Sequence, residues 1–84
     1  MTDQVQIGKI THYFPKIGVA VVEVTHSVKV GDHIHIKGHL TDFKQKITSM
    51  QIEHDKLEKA EPGQSIGMKM DQPVRVNDLV YKSA

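Results

Sequence analysis

Alternation of apolar and polar residues is the main pattern along this chain, and it is typical of β-strands. His33–Lys37 alternates cleanly, with Ile34 and Ile36 on one side and basic residues on the other. Six of the eight residues of Ile17–Val24 are Ile, Val or Ala, and they fall at both odd and even positions. The second segment is therefore predicted to be a strand with both faces at least partly covered.

Four other segments have strand-like composition: Val5–Phe14, Phe43–Ile52, Ser65–Met70 and Leu79–Lys82. Within Phe43–Ile52 the apolar residues change from odd to even positions, which predicts a β-bulge near Thr48 and Ser49. Glu53–Ala60 is the one helix-like segment, and we expect a helical turn or a charged loop there. Six short strands at regular spacing predict an all-β fold, a small closed six-stranded antiparallel β-barrel.

One phrase occurs twice: VKVGDHIHI at 28–36 and VRVNDLVYK at 74–82. Gly31 and Asn77 occupy matching positions, and these two residue types tolerate positive φ best. Each is followed by an aspartate, Asp32 or Asp78, so the two phrases are predicted to form the same tight turn before a strand. Alternatively, the basic residues of the two phrases, Lys29 and Arg75, form a paired anion site.

In order, these segments resemble the second domain of translational GTPases, the elongation factor Tu domain-two barrel. The similarity covers about residues 5–82. Its motifs are IGKITHYF, IGVAVVEV, a basic-x-Gly-Asp signature, KITSMQI and an Ala-x-x-Gly-x-x-apolar-Gly corner that contains Gly63 and Gly67. The closing signature has Asn77 in place of Gly. The resemblance implies a closed barrel that docks on RNA or the ribosome. No G-x-x-x-x-G-K-[ST] phosphate loop is present, so no GTP is expected.

Composition limits the classes of function. The chain has 84 residues, which predicts one domain (1–84), and no cysteine, which excludes disulfides and thiolate chemistry. A net charge of +1 does not draw the chain to nucleic acid by bulk electrostatics. Neither a basic leader followed by an apolar run nor a membrane-length apolar run occurs, so we expect a cytoplasmic protein without membrane contact or cofactor.

Three groups of residues could carry chemistry. RNA or anion contact is predicted for Lys9, Lys37, Lys44, Lys46, Lys29 and Arg75. A sparse metal set would consist of His33, His35 and His39 with Asp32 or Asp42, although alternation also places His33 and His35 on a solvent face. His12, Tyr13 and Phe14 could stack on a base. Glu53 and Asp55 lack an apolar pocket that would raise a pKa, so we expect no acid–base pair and no enzyme activity.

The residues themselves predict a non-catalytic binding module. The resemblance to translational GTPases implies that this module docks on an RNA or ribonucleoprotein partner related to translation. The first alternative is a protein–protein adaptor for a larger enzyme such as a peptidase, which would require an exposed apolar patch. The second alternative is a histidine-based metal-binding protein.

Overall fold

The computed structural model describes residues 4–52 and 55–83, and this part of the chain contains ten β-strands and no helix. The strands are β1 (Gln4–Phe14), β2 (Val19–Val24), β3 (Val28–Lys29), β4 (His33–Lys37), β5 (Asp42–Lys46), β6 (Met50–Ile52), β7 (Asp55–Leu57), β8 (Lys59–Ala60), β9 (Ser65–Lys69) and β10 (Leu79–Ser83). All the strand pairs are antiparallel, which confirms the predicted all-β antiparallel class. No helix in the described ranges could cross a membrane.

The predicted closed six-stranded barrel is wrong. Eight strands form one sheet in the order β5-β4-β10-β1-β2-β9-β6-β7, and β3 pairs with β8 in a separate two-stranded sheet. Within the described residues no backbone ladder joins β5 to β7, so the large sheet stays open. The buried side chain of Gln45 instead connects β5 to the end of β9 and to the chain that follows it. Its amide nitrogen donates to the Lys69 carbonyl and its oxygen accepts from the Asp71 N–H, both at 2.8 Å.

Two local predictions also differ from the structure. The helix-like segment contains β7 and β8, and its residues 53 and 54 lie outside the described part of the chain. Its single apolar anchor, Leu57, packs against the sheet core, and this contact is available to a short strand as well as to a helix. The predicted long strand 43–52 is divided into β5 and β6, with residues 47–49 between them. The break lies where the buried apolar residues change from odd to even positions, between Ile47 and Met50, which are both buried.

The core lies on one side of the sheet and consists mainly of aliphatic side chains. Every second residue of β2, β4 and β9 points into it, and the fully buried members include Val22, Ile36, Ile66 and Met68. Removing these side chains from water is the main source of stability for a chain of this size.

The repeated phrase forms the same turn twice. Gly31 and Asn77 have φ of 99° and 77°, as the third residue of a type II turn requires. The N–H of Lys29 donates to a carboxylate oxygen of Asp32 at 3.0 Å, and the N–H of Arg75 donates to Asp78 at 2.9 Å. In each turn the aspartate N–H donates back to the carbonyl of the basic residue at 3.1 Å. Each aspartate therefore closes its turn with both its side chain and its backbone.

These two turns are related by an internal two-fold arrangement. They lead into β4 and β10, which pair antiparallel with His35 opposite Tyr81, and these two residues occupy matching positions of the phrase. An isoleucine of the neighbouring chain segment binds each turn in the same way: Ile47 exchanges backbone hydrogen bonds with residues 31 and 32, and Ile10 does so with residues 77 and 78. The phrase is repeated because the fold uses one turn-and-strand unit on both sides of this axis.

Candidate functional site

An apolar groove crosses the outer face of the sheet, where polar residues are usual. It has a volume of about 310 Å³ and is lined by Phe14, Ile17, Val19, Val21, Gln51, Ile52, Ser65, Ile66 and Gly67. The side chains of Phe14 and Ile17 are 49% and 57% exposed. A contiguous exposed apolar surface, in contrast to single exposed residues, usually marks an interaction site.

The groove exists because Gly67 has no side chain. Gly67 lies in β9 between Val21 of β2 and Gln51 of β6. A Cβ atom at this position would lie 3.3 Å from Val19 Cγ1 and 3.4 Å from Gln51 Cγ, so a larger residue would fill the space between the two strands. The groove walls come from the outward residues of β2 and from the β1–β2 turn.

That turn holds the exposed apolar residues in place. The backbone N–H groups of Ile17 and Gly18 both donate to the Phe14 carbonyl, and Gly18 has a φ of 66°. The Lys69 ammonium donates to the Ile17 carbonyl at 3.0 Å, which connects the turn to β9. On the strand side, the His12 ring stacks on Phe14 with 6.5 Å between ring centroids. The three residues predicted to stack on a base do not share one surface, because Tyr13 packs against the core while His12 and Phe14 stay together.

One sequence signal pointed to this groove, the apolar residues at both parities of segment 17–24. Strict alternation around the buried Ala20 and Val22 would place polar residues at positions 19 and 21, yet both are valines that line the groove. Phe14, Ile17 and Ile52 could not be assigned to the groove from sequence, because their proximity depends on the pairing of β1, β2, β9 and β6.

A basic face covers the other half of the sheet. Ile34, Ile36, Phe43 and Gln45 are buried, so the alternate residues of β4 and β5 face outward. Cross-strand neighbours on this side are His33 with Lys46, His35 with Lys44, Lys37 with Asp42, and Leu79 with both Lys37 and Lys9. We define the basic face as Lys9, Lys37, Lys44, Lys46, His33 and His35.

Lys29 and Arg75 do not form one site. Each precedes one strand of the antiparallel β4–β10 pair, so the two residues lie at opposite ends of that pair. Lys29 instead faces Lys59 across the β3–β8 ladder. The paired anion site is therefore not formed.

The Lys29 turn also holds a carboxylate whose charge is stabilised. Burial raises the pKa of Asp32, but the hydrogen bond from the Lys29 N–H and the Lys82 ammonium at 3.2 Å outweigh this effect. The pKa of Asp32 consequently lies below its ordinary value, and the carboxylate stays charged.

The predicted histidine set is not assembled as a metal centre. Within residues 4–52 and 55–83, no three side chains of His, Cys, Asp or Glu are grouped so that they could hold a metal ion. His35 is hydrogen-bonded to Asp42 through Nε2, and Asp32 belongs to the turn before β4. His33 and His39 are exposed.

The His35–Asp42 pair predicts a pH-dependent contribution to stability. The hydrogen bond from His35, aided by the charges of His35, Lys37 and Lys44, lowers the pKa of Asp42 below its ordinary value of 3.8. A carboxylate with a lowered pKa stabilises the folded state above its unfolded pKa, and this contribution is lost as the pH falls through the folded value.

We therefore expect Asp42→Asn to reduce the free energy of unfolding at neutral pH, and we expect the difference from the wild type to disappear in strong acid. Urea unfolding across a pH series measures this difference. A difference that persists unchanged in strong acid, or an NMR-titrated pKa of Asp42 above its ordinary value, would contradict the assignment.

Comparisons with known proteins place similar segments in much longer chains. The chain is 37% identical over 79 residues to an uncharacterized protease of Methanocaldococcus jannaschii, with 93% of this chain and 19% of the protease covered. It is 33% identical over 81 residues to a collagenase of Porphyromonas gingivalis, with 94% and 20% covered. The chain thus spans about a fifth of the length of these relatives. No protein-family model matches it.

Solved structures agree on the fold. Two crystal structures of the C-terminal domain of a Geobacillus thermoleovorans protein named as a U32 peptidase superpose on the chain with TM-scores of 0.86 and 0.88, each at 24% identity. The first match covers 90% of this chain and 96% of the domain, and the second covers 94% and 92%. The chain therefore has the fold of that domain.

The kinship with translational GTPases expected from sequence is wrong, and so are the ribosome and RNA-binding roles taken from it. The similar proteins are named as proteases, collagenases and a U32 peptidase. The misleading signal was the basic-x-Gly-Asp turn, because its glycine and aspartate meet a backbone requirement that unrelated β-proteins can share.

Proposed function

We propose that the chain is a non-catalytic docking domain of the U32 peptidase family, and that its apolar groove packs against the remaining part of a U32-type polypeptide. The similarity to segments of a protease and a collagenase supports the family. The observation that carries the docking role is the groove itself, because the exposed side chains of Phe14 and Ile17 and the half-buried side chains of Val19 and Val21 line one surface there.

The occupant follows from the relatives. In each of them the matching segment is about a fifth of a longer chain, so in these proteins the same surface has about four-fifths of a polypeptide available to cover it. An apolar ridge from that remainder would remove the groove from water, and buried apolar area is the general source of such association.

A docking role also fits the chemistry of the groove. Its described lining is aliphatic or aromatic apart from Gln51, Ser65 and Gly67, and none of these side chains titrates near neutral pH. The groove therefore supplies neither a general acid nor a general base. The peptidase activity of a U32-type protein is assigned in this proposal to the remainder of the polypeptide.

The test uses the Methanocaldococcus jannaschii protease produced without its matching segment, titrated with this chain. We expect association that is lost in Phe14→Asp/Ile17→Asp, because two carboxylates in the groove would have to lose their hydration on docking. Both side chains are about half exposed in the free chain, so circular dichroism and thermal unfolding should report an intact fold.

Leu40→Asp/Val76→Asp is the matched control, since these residues are 69% and 53% exposed and lie outside the groove. This pair should bind like the wild type. The protease's own segment, added back, is the positive control. If that segment binds and the chain does not, or if both double variants weaken binding equally, the proposal fails.

A further inference from the structure

The basic face takes no part in the proposed docking through the groove. Most of its charged residues are basic. Its four lysines form no ion pair with a carboxylate of the described residues. Asp42 is the acidic residue within the face, and its hydrogen bond goes to His35. Glu23 lies at the margin, opposite Lys9 on β2.

This concentration of charge is not a result of overall composition. The chain carries 11 basic and 10 acidic residues, so an even distribution would place positive and negative side chains together on each face. Three of the acidic residues, Asp55, Glu58 and Glu61, lie in or beside β7 and β8, where Lys56 and Lys59 are interspersed with them. In the sheet order, β7 is at the opposite end from β5, which carries Lys44 and Lys46. The molecule is nearly neutral but has a positive side.

We propose that the basic face binds an acidic polypeptide segment in an extended conformation. Lys44 and Lys46 are two residues apart on one strand, so their Cα atoms are roughly 7 Å apart. Alternate residues of an extended peptide have the same spacing. Carboxylates at every second position of such a peptide would meet Lys44 and Lys46 on β5, with His33 and Lys37 of β4 in the next row.

The composition of the face favours a polypeptide over a nucleic acid. Its cations are lysine and histidine, whereas Arg75, which could bind phosphate in a bidentate manner, belongs to a turn outside the face. Tyr81, opposite His35 on the β4–β10 ladder, is half-buried, so part of its surface is not available for stacking on a base. This inference does not depend on the groove or on its occupant.

The test is fluorescence anisotropy with a labelled peptide of alternating glutamate and serine, titrated with the full chain at low salt. Lys44→Glu/Lys46→Glu should weaken binding by at least about tenfold, because it places like charges opposite the peptide carboxylates. Lys16→Glu/Lys56→Glu changes the net charge equally at exposed positions outside the face and should weaken binding less than about twofold.

Backbone amide shifts on peptide addition should concentrate in β4 and β5. Three results would each overturn the inference: no binding of the acidic peptide at low salt, equal losses in the two charge-reversal pairs, or tighter binding of a labelled oligothymidine than of the peptide. Wild-type affinity for the acidic peptide in the Phe14→Asp/Ile17→Asp variant is also expected, which separates this surface from the groove.

Discussion

Replacing Gly38 with alanine is expected to destabilise the protein by roughly 2–5 kcal/mol, because overpacking and a broken buried hydrogen bond act together. A Cβ atom on Gly38 would overlap Asp78 Oδ1 and would lie 2.6 Å from Asp78 Cγ. The Asp78 carboxylate is buried and accepts the Arg75 N–H that closes the turn before β10. To admit the new methyl group, the carboxylate must leave its position and the turn must lose that bond.

A double-mutant cycle separates this clash from any general effect of alanine. In an Asp78→Ala background the nearest remaining atom is the Cβ of residue 78, at 3.3 Å, which needs only a small shift. Gly38→Ala should then cost less than about 1 kcal/mol, giving a large coupling energy between the two sites. Urea unfolding of the four proteins measures it. Additive effects of the two substitutions would show that the clash is not the cause.

The second large effect is expected for Gln45→Leu, which removes the side-chain connection from β5 to the end of β9 and the residues after it. Leucine has a similar volume but leaves the Lys69 carbonyl and the Asp71 N–H without their partner at 2.8 Å. Because both hydrogen bonds are only partly buried and each contributes about 0.5–1.5 kcal/mol, we expect a loss of roughly 1–3 kcal/mol in the free energy of unfolding. Faster hydrogen exchange of the Asp71 amide should accompany this loss.

Gln72→Leu is the matched control, because the same substitution at this exposed neighbouring position should change stability by no more than about 0.5 kcal/mol. If the two leucine variants are equally stable, or if the Asp71 amide exchanges at the wild-type rate in Gln45→Leu, the side chain of Gln45 does not hold the open sheet together.

Local backbone chemistry was predictable from the sequence, whereas closure of the sheet was not. The turn positions of Gly31 and Asn77 follow from residue type, because few other residues adopt positive φ at low cost. The alternation in β4 and β9 likewise identifies buried residues such as Ile36 and Met68. Whether β5 pairs with β7 depends on the register of strand pairs that are distant in sequence. The one local sign was Gln45, a polar residue among the inward-facing apolar positions of β5.

The candidate surfaces were also only partly predictable. Lys37, Lys44 and Lys46 were grouped from the sequence as one predicted RNA or anion contact, and the β4–β5 ladder places these three residues on one face. The groove combines residues 14 to 67 from four strands, so composition alone could not assemble it. A family resemblance drawn from turn signatures was misleading because those signatures encode backbone geometry rather than a partner.

Hydrogen exchange of the chain, alone and bound to the Methanocaldococcus jannaschii protease that lacks its matching segment, tests the central claim most directly. Docking through the apolar groove predicts slower exchange on binding in β2, in β9 and in the turn from Pro15 to Gly18, with β4 and β5 unchanged. Slower exchange confined to β4 and β5, or none anywhere in a complex that has formed, would contradict it.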